Sequence, residues 1–503
     1  MGEIHKLRVK SPYELTKIVD IKIENKPNEH GYLYLKCLID ESINFNSTIK
    51  ASTEDEIIVY EELENTEDEN KSTGNDTEKI NINEVNERNS KRLFNGIVQN
   101  VKTTNVNGIY YLEIQALTSS IKLDIEKKSR SFQNVDMTYS DLINNMLSYY
   151  PGYGFSQYAG KEQKIGKPLF QYKESDWSFL KRIASELSSE LYCDVINSNF
   201  MFNFGIPDDH RYELNDNVNY DAFKDLKSFH EAGGYDSGYN NTDYFYYKVK
   251  IRDILEIGSE IYYRQKELYI REYEAYKDKE EVFYKYKLCR KKGVWQNIIY
   301  NKLLKGATLE GKVIAVQNEQ VKLHLNIDEN QDEGEAYWFD YAPPSVNIMY
   351  SMPLVNESAR LYFPKESSED PIVTGCVRKN GDTCEGTSDT TNRYFYTENG
   401  SEIAMLPGAL NIKSGSEENL SINFEDESGV TLTSPTGLNL NAGGGIAITT
   451  PNNINISAQS QILMTKGNTE NGVSIEGDFH IKGNNVIKNG SCRETFAPFV
   501  EEV

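Results

Sequence analysis

The chain has 503 residues, a formal net charge of −23 and 38% hydrophobic residues, so it is long enough for several domains and strongly acidic. The acidic balance argues against a nucleic acid as partner, because no basic patch offsets the negative charge. Residues 1–10 contain no apolar signal-peptide core, and no stretch of about 18 apolar residues occurs. We therefore expect synthesis in the cytoplasm without a signal peptide.

Residues 1–304 are predicted to form a mainly β domain. Apolar and polar residues alternate over 12–60 and 192–300, which is typical of strands. Between them, Leu93–Val98 and Tyr110–Ile114 are predicted to pair as a hairpin. Because strands precede and follow a helical region, we expect tandem hub β-barrels with a helical insert.

A polar segment and two helices interrupt these strands. Residues 61–91 are mostly polar and rich in acids, and they are predicted to form a solvated loop. Thr138 followed three positions later by Asp141 has the spacing of a capping box and predicts the start of a helix. A second helix is predicted to begin near Ser175, because apolar residues then recur at helical spacing.

The character of the sequence changes after residue 304. Residues 305–380 contain about five short strand patterns, which fits an OB-fold barrel. A polar linker is predicted at 381–392, a β-helical spike at 393–490 and a short C-terminal tail at 491–503.

The spike segment repeats with a period of eight residues between Ser421 and Thr465. Each of six consecutive blocks carries an apolar pair at positions i and i+2, and such a pair lies on one face of a strand. The predicted core residues are Ile422, Phe424, Val430, Leu432, Leu438, Leu440, Ile446, Ile448, Ile454, Ile456, Ile462 and Met464. Residues that tolerate a left-handed backbone precede four of the pairs and predict turns. The predicted turn residues are Gly429, Gly437, Gly445 and Asn453.

One copy of the chain cannot stabilise such a repeat alone. Burying two aliphatic side chains contributes about 3–6 kcal/mol, whereas ordering one block of backbone costs about 8–16 kcal/mol. The difference is offset if other chains supply facing side chains and strand hydrogen bonds. We therefore expect an intertwined triple-stranded β-helix in a homotrimer. Two alternatives are a β-sandwich or stalk with accidental periodicity, and a polysaccharide-degrading tailspike, which is disfavoured because its coils are longer.

Several motifs resemble one known family, the hub-and-spike proteins of contractile injection systems, which include the VgrG family and fused phage baseplate hubs and tail spikes. The motifs are Leu93–Val98, Arg130–Gln133 with Thr138-Tyr139, Gln171–Arg182 and Asp370–Gly375. The resemblance covers nearly the whole chain in the expected order. Asn356 departs from the family pattern, which often has glycine at this turn of the small barrel.

The resemblance implies a homotrimer whose barrels form a ring that seats on a hexameric tail tube. It also implies baseplate proteins as neighbours, a PAAR-like tip protein at the end of the spike, effectors as cargo and the target cell envelope as destination. The protein would be assembled into an injection particle. The sequence leaves open whether this is a phage, a phage-derived bacteriocin, a type VI secretion system or an extracellular injection particle.

The sequence contains no GxSxG, HExxH, Walker or Rossmann motif. Adjacent acids at 61–62, 280–281 and 417–418 lie in polar surroundings, which is typical of a solvated surface rather than a glycosidase pair. His480 is a weak candidate metal ligand, because three copies would meet if it faced the trimer axis. We therefore expect that the protein is not an enzyme and uses no cofactor. Together with the family resemblance, this predicts a structural hub and membrane-puncturing spike. The alternative is a β-helical hydrolase of polysaccharide or peptidoglycan.

Overall fold

The structure is a computed structural model of the 503-residue chain. It describes residues 4–43, 45–64, 90–207, 210–279, 281–294, 296–343, 351–375, 388–397, 399–415, 420–467 and 471–483. The chain divides into two compact units, Met1–Lys379 and Asn380–Val503. No helix in the described residues is long and apolar enough to cross a lipid bilayer.

The first unit begins with six strands and a short helix. These are β1 (Ile4–Lys10), β2 (Lys17–Asn25), β3 (Tyr32–Leu38), α1 (Asn46–Lys50), β4 (Glu56–Glu64), β5 (Ser90–Val106) and β6 (Ile109–Leu117). A hairpin forms here as predicted, because β5 and β6 pair antiparallel, but its register differs from the prediction. Tyr110–Ile114 pair with Val101–Asn105, and only Ile97 and Val98 of the stretch Leu93–Val98 pair with β6. Asn107 and Gly108 form its tip with positive φ angles of 54° and 84°, the backbone of a tight hairpin turn.

The polar segment predicted as a loop over 61–91 lies in strands at both of its ends. Residues 61–64 continue β4, and residues 90–91 begin β5. Glu62 is only 8% exposed, and its Oε2 lies 2.8 Å from Nε of Arg8 on the neighbouring strand β1. The prediction over 61–91 was wrong at these positions because a charged side chain can lie in a strand when a partner across the sheet compensates its charge. Residues 65–89 lie outside the described part of the chain.

The helical insert follows the first strands. It contains β7 (Lys127–Phe132), α2 (Tyr139–Leu147), β8 (Gly154–Gln157), β9 (Leu169–Ser175), α3 (Asp176–Glu186), β10 (Leu191–Cys193) and β11 (Phe200–Phe204). Both predicted helices are confirmed. Thr138 caps α2 through a reciprocal capping box with Asp141, and the hydroxyl of Ser175 accepts a hydrogen bond from the Ser178 amide at the start of α3. The apolar faces of both helices enter one buried cluster with β10 and β11.

A second group of strands completes the part of the first unit that precedes residue 305, which we call the hub. It comprises β12 (Arg211–Glu213), β13 (Tyr220–Lys224), α4 (Leu226–Glu231), β14 (Phe245–Ile251), β15 (Glu260–Tyr263), β16 (Lys266–Asp278) and β17 (Glu281–Cys289). The tandem barrels were expected from these two strand groups. In the described residues the groups join in one twelve-stranded sheet of order β1-β4-β5-β6-β3-β2-β16-β17-β14-β13, with β15 on β16 and β12 on β15. The join forms because the long strand β16 pairs with β2 as well as with β15 and β17.

Five strands then close into a small barrel: β18 (Thr308–Gln317), β19 (Gln320–Leu325), β20 (Phe339–Tyr341), β21 (Ser358–Tyr362) and β22 (Ile372–Gly375). The strand order 1-2-3-5-4, with the third and fifth strands parallel, matches an OB-fold. Asn356 adopts a positive φ of 74° directly before β21. The turn therefore keeps a left-handed backbone, which asparagine tolerates better than most residues other than glycine.

In the described residues of the second unit, strands are the only regular secondary structure. Five of them form an antiparallel meander: β23 (Arg393–Tyr396), β24 (Glu402–Leu406), β25 (Ala409–Lys413), β26 (Ser421–Glu425) and β27 (Gly429–Thr433). Three more form a separate sheet: β28 (Ile462–Thr465), β29 (Gly472–Ile475) and β30 (Phe479–Lys482). The predicted linker falls mostly, and the predicted tail wholly, outside the described residues. The expected fold class, mainly β with some α and a closed barrel, is confirmed.

Candidate functional site

Apolar side chains line one side of the meander β23–β27, and we call this surface the apolar face. Strand register places the apolar residues of neighbouring strands opposite one another, for example Leu410 opposite Phe424 and Ile422 opposite Leu432. The apolar face consists of Phe395, Ile403, Met405, Leu410, Ile412, Ile422, Phe424, Val430 and Leu432. Side chains in register across a sheet form one surface, so the strands together present a single apolar stripe.

In the single chain the apolar face is open to solvent. Its members are 37–63% exposed, with Ile422 and Leu410 at the lower end and Val430 at the upper end. The opposite face of the same sheet behaves differently, since Ala404 between Ile403 and Met405 is 2% exposed. Proteins rarely expose so many neighbouring apolar side chains to water, and large exposed apolar patches mark interaction surfaces.

The same exposure continues through the middle of the eight-residue repeat. Residues 434–461 are all described, and they contain no strand or helix within this chain. Their predicted core side chains are among the most exposed apolar groups of the protein: Leu438 59%, Leu440 60%, Ile446 56%, Ile448 69%, Ile454 52% and Ile456 66%. Of the remaining predicted core residues, Met464 is exposed and Ile462 is half-buried.

The backbone bends in this segment recur with the period of the sequence. Bends occur at residues 435–436, 443–444, 451–452 and 459–460, so each follows the previous one by eight residues. Each of the first three lies directly before a predicted turn residue. The first is closed by Ser434, whose hydroxyl accepts from the Gly437 amide at 3.1 Å and donates to the Gly437 carbonyl at 2.8 Å.

The four predicted turn residues all lie in the described segment 420–467, and only Gly429 has a left-handed backbone, with φ of 87°. Gly437, Gly445 and Asn453 each directly follow a bend, and their assignment as turn residues of the spike stays a prediction. The chain changes direction at the two residues before each of them, so these three positions need no positive φ.

The candidate chemical groups are dispersed. His480 lies exposed on β30 opposite Ser474. Of the adjacent acids, Glu62 is ion-paired with Arg8, whereas residues 280 and 417–418 lie outside the described part. Within the described residues, no group of three or more His, Cys, Asp or Glu side chains could hold a metal ion.

Two of the motifs that carried the family resemblance, Arg130–Gln133 and Gln171–Arg182, meet around one buried carboxylate. Asp176 is fully buried, and its Oδ1 accepts hydrogen bonds from Arg130 Nη2 at 2.6 Å and from Gln171 Nε2 at 2.9 Å. Its Oδ2 accepts from Lys128 Nζ at 2.9 Å and from the Tyr150 hydroxyl at 2.7 Å. Burial and this hydrogen bond raise the pKa of Tyr150, so the phenol remains a donor. This network is structural, because both oxygens of the Asp176 carboxylate already accept hydrogen bonds.

The strand that carries Arg130 also joins the insert to the small barrel. The Ser131 amide and hydroxyl each donate to the Asp328 carboxylate at 2.6 Å. Gln133 donates to the Leu323 carbonyl at 3.1 Å and accepts from the Tyr337 amide at 3.3 Å. Burial raises the pKa of Asp328, although the Ser131 hydrogen bonds oppose the shift. The Arg130–Gln133 motif therefore fixes the barrel to the hub.

Sequence reasoning missed the N-terminal half of the apolar face. Phe395, Ile403, Met405, Leu410 and Ile412 lie before the regular repeat, because the hairpin connections there differ in length. A search for apolar pairs at i and i+2 without a fixed period would have found most of them.

The fold resembles solved structures of secretion-system and phage tail proteins. A chain of the Francisella PdpA–VgrG complex is 11% identical, with 86% of this chain and 88% of that chain covered and a TM-score of 0.50. The E. coli c3393 protein is 13% identical, with 73% of this chain and 99% of that chain covered and a TM-score of 0.49. It is described as a component of the type VI secretion system with structural similarity to T4 bacteriophage tail proteins gp27 and gp5. A 43 kDa tail protein of prophage MuSo2 from Shewanella oneidensis is 10% identical, with 59% and 99% covered and a TM-score of 0.39. No model of a known protein family and no curated protein sequence matches the chain.

The fold thus resembles that of the chain in the PdpA–VgrG complex, with a β-rich region, a five-stranded barrel and a C-terminal β unit in chain order. The resemblance to VgrG that the motifs indicated is confirmed at the level of the fold.

Proposed function

We propose that the protein is the trimeric central hub and membrane-puncturing spike of a contractile injection apparatus. The observation that carries this proposal is the apolar face, together with the exposed apolar pairs of residues 438–456. The apolar side chains of the face and of the pairs recur at regular spacing. Within the described residues of their own unit, no strand or helix covers either set.

Three copies of the chain would satisfy this surface. Each copy would supply apolar side chains to a shared axis and strand hydrogen bonds to its neighbours, which residues 434–461 do not make within one chain. Thr, Ser and Asn would then lie outside, and no charged residue occurs from Val430 to Thr465. The result is a stiff, neutral rod, which suits passage through a lipid surface because no charge must be desolvated.

The remaining assignments rest on the resemblance. The hub would seat on a hexameric tail tube, contact baseplate proteins and carry a PAAR-like tip protein and effectors towards the target cell envelope. The Francisella structure, titled a PdpA–VgrG complex, supports the idea that proteins of this fold assemble with large partners. We infer a structural rather than enzymatic role, because the exposed surface is apolar, whereas a polysaccharide-cleaving groove presents paired carboxylates.

Light scattering on the purified protein tests the proposal. The expected mass is three times 57.5 kDa. A stable monomer at micromolar concentration would contradict the trimeric spike. Incubation of the same sample with polysaccharide and peptidoglycan should release no fragments, whereas cleavage would favour the hydrolase.

A further inference from the structure

A polar cleft lies in the first unit, whereas the apolar face belongs to the second. It has a volume of about 360 Å³ and is lined by residues of β2, β8, β11 and β16 and by the loops around residues 194–197 and 254–259. This volume lies within the usual range of ligand sites, about 300–1,000 Å³, and far exceeds the roughly 30 Å³ share of a single water.

Two buried side chains of this cleft have polar atoms without a partner. Asn25 is 4% exposed and Ser259 is 2% exposed. Within the described residues, neither Asn25 Oδ1 nor Ser259 Oγ makes a hydrogen bond. Buried polar groups in proteins are nearly always paired, so an unpaired amide oxygen and hydroxyl in one cleft indicate a missing partner.

The walls of the cleft are held in place before any ligand binds. Asn25 Nδ2 donates to the Cys193 carbonyl at 3.0 Å, and the Asn95 amide donates to the Val195 carbonyl at 2.7 Å. The Asp194 carboxylate accepts from the Ile196 amide at 2.8 Å and from Asn197 at 2.9 and 2.8 Å. These bonds orient the Asn25 amide so that its oxygen is the free end.

The charges of the lining disfavour an anionic ligand. Its described residues include no lysine or arginine, so an anion finds no counter-charge. Both of its carboxylates are already engaged: Asp194 by the local amides, and Glu256 by His210 at 3.0 Å. What remains unpaired is neutral, namely one amide oxygen that needs a donor and one hydroxyl that both donates and accepts.

We propose that this cleft binds a neutral hydroxylated molecule of monosaccharide size. One ligand hydroxyl would donate to Asn25 Oδ1 and another would exchange a hydrogen bond with Ser259 Oγ. The aliphatic side chains of Val195 and Leu255, which also line the cleft, would cover the carbon face of the ring.

Ser259→Ala is the informative variant, because it removes an atom that makes no hydrogen bond in the described protein. Folding should be unaffected, and thermal unfolding checks this. Ser368→Ala is the matched control: Ser368 is 4% exposed with an equally unpaired Oγ, but it lies outside this cleft.

The experiment is ligand-observed NMR and calorimetric titration of the full chain with glucose, N-acetylglucosamine, a soluble N-acetylglucosamine tetrasaccharide and, as a cationic comparator, putrescine. We expect sugar binding, and a Kd weakened about threefold to tenfold in Ser259→Ala but unchanged in Ser368→Ala, as for the loss of one neutral hydrogen bond. Binding of monosaccharide alone would indicate a free sugar, and binding of the tetrasaccharide a glycan end. The proposal is overturned if no sugar binds, if only putrescine binds, or if Ser259→Ala binds as the native protein does.

Discussion

Ile448→Asp tests whether the repeat forms the interior of a trimer. Ile448 is 69% exposed in the single chain, so an aspartate there costs an isolated subunit almost nothing. In the proposed trimer three copies meet in one layer. Each copy would lose about 1.5–3 kcal/mol of apolar burial and would add the cost of an unpaired buried carboxylate, about 3–5 kcal/mol.

The sum is at least about 5 kcal/mol per chain, and about 15 kcal/mol for the layer of three. Because each 1.4 kcal/mol corresponds to a tenfold change, this is about ten orders of magnitude in the trimerisation equilibrium. Burial would raise the carboxyl pKa in the trimer above the unperturbed value of about 3.9. The charge part of the penalty is therefore absent below about pH 4 and grows as the pH rises. The loss of apolar burial remains at every pH, so assembly should recover only in part in acid.

The matched control is Thr449→Asp, one residue along the chain, where the side chain is predicted to point outward. Light scattering and SDS resistance at neutral and acid pH compare the two variants. Ile448→Asp should lose the trimer at pH 7 and recover part of it near pH 4, whereas Thr449→Asp should remain trimeric at both pH values. If the two variants behave alike, the inward and outward alternation is wrong, and with it the assignment of this stretch as the spike.

Two further predictions concern the hub. Replacing residues 66–79 by a short Gly-Ser linker should leave the trimer mass and the midpoint of thermal unfolding nearly unchanged, because almost no apolar side chain occurs there to be buried. A large fall in this midpoint would show that the segment packs against a neighbouring subunit. Asp176→Ala should lower the free energy of unfolding by about 3–5 kcal/mol, because it leaves Lys128 and Arg130 without their buried counter-charge. Denaturant unfolding measures this, with Asp136→Ala on the exposed surface as control, and a loss below about 1 kcal/mol would contradict the structural role of the network.

The sequence alone determined the features that depend on local rules. Helix α2 was predicted from Thr138 and Asp141, because a capping box involves only neighbouring residues. The β5–β6 hairpin and the five barrel strands followed from apolar alternation, since the period of a strand is a property of the backbone itself. The eight-residue period was equally visible, and it returns as the regular bends of residues 435–460.

Only the tertiary structure decided what lies far apart in the chain. The pairing of β2 with β16 joins residues about 250 positions apart, and no local pattern specifies which edges of two strand groups meet. Glu62 was predicted in a loop because its charge disfavours burial, and only the fold shows Arg8 beside it. The partners of Asp176 come from three elements, so the motifs around it indicated a family without revealing their common carboxylate. The N-terminal half of the apolar face likewise required strand register, because its hairpins differ in length and a fixed sequence period does not show which of its side chains lie on one side of the sheet.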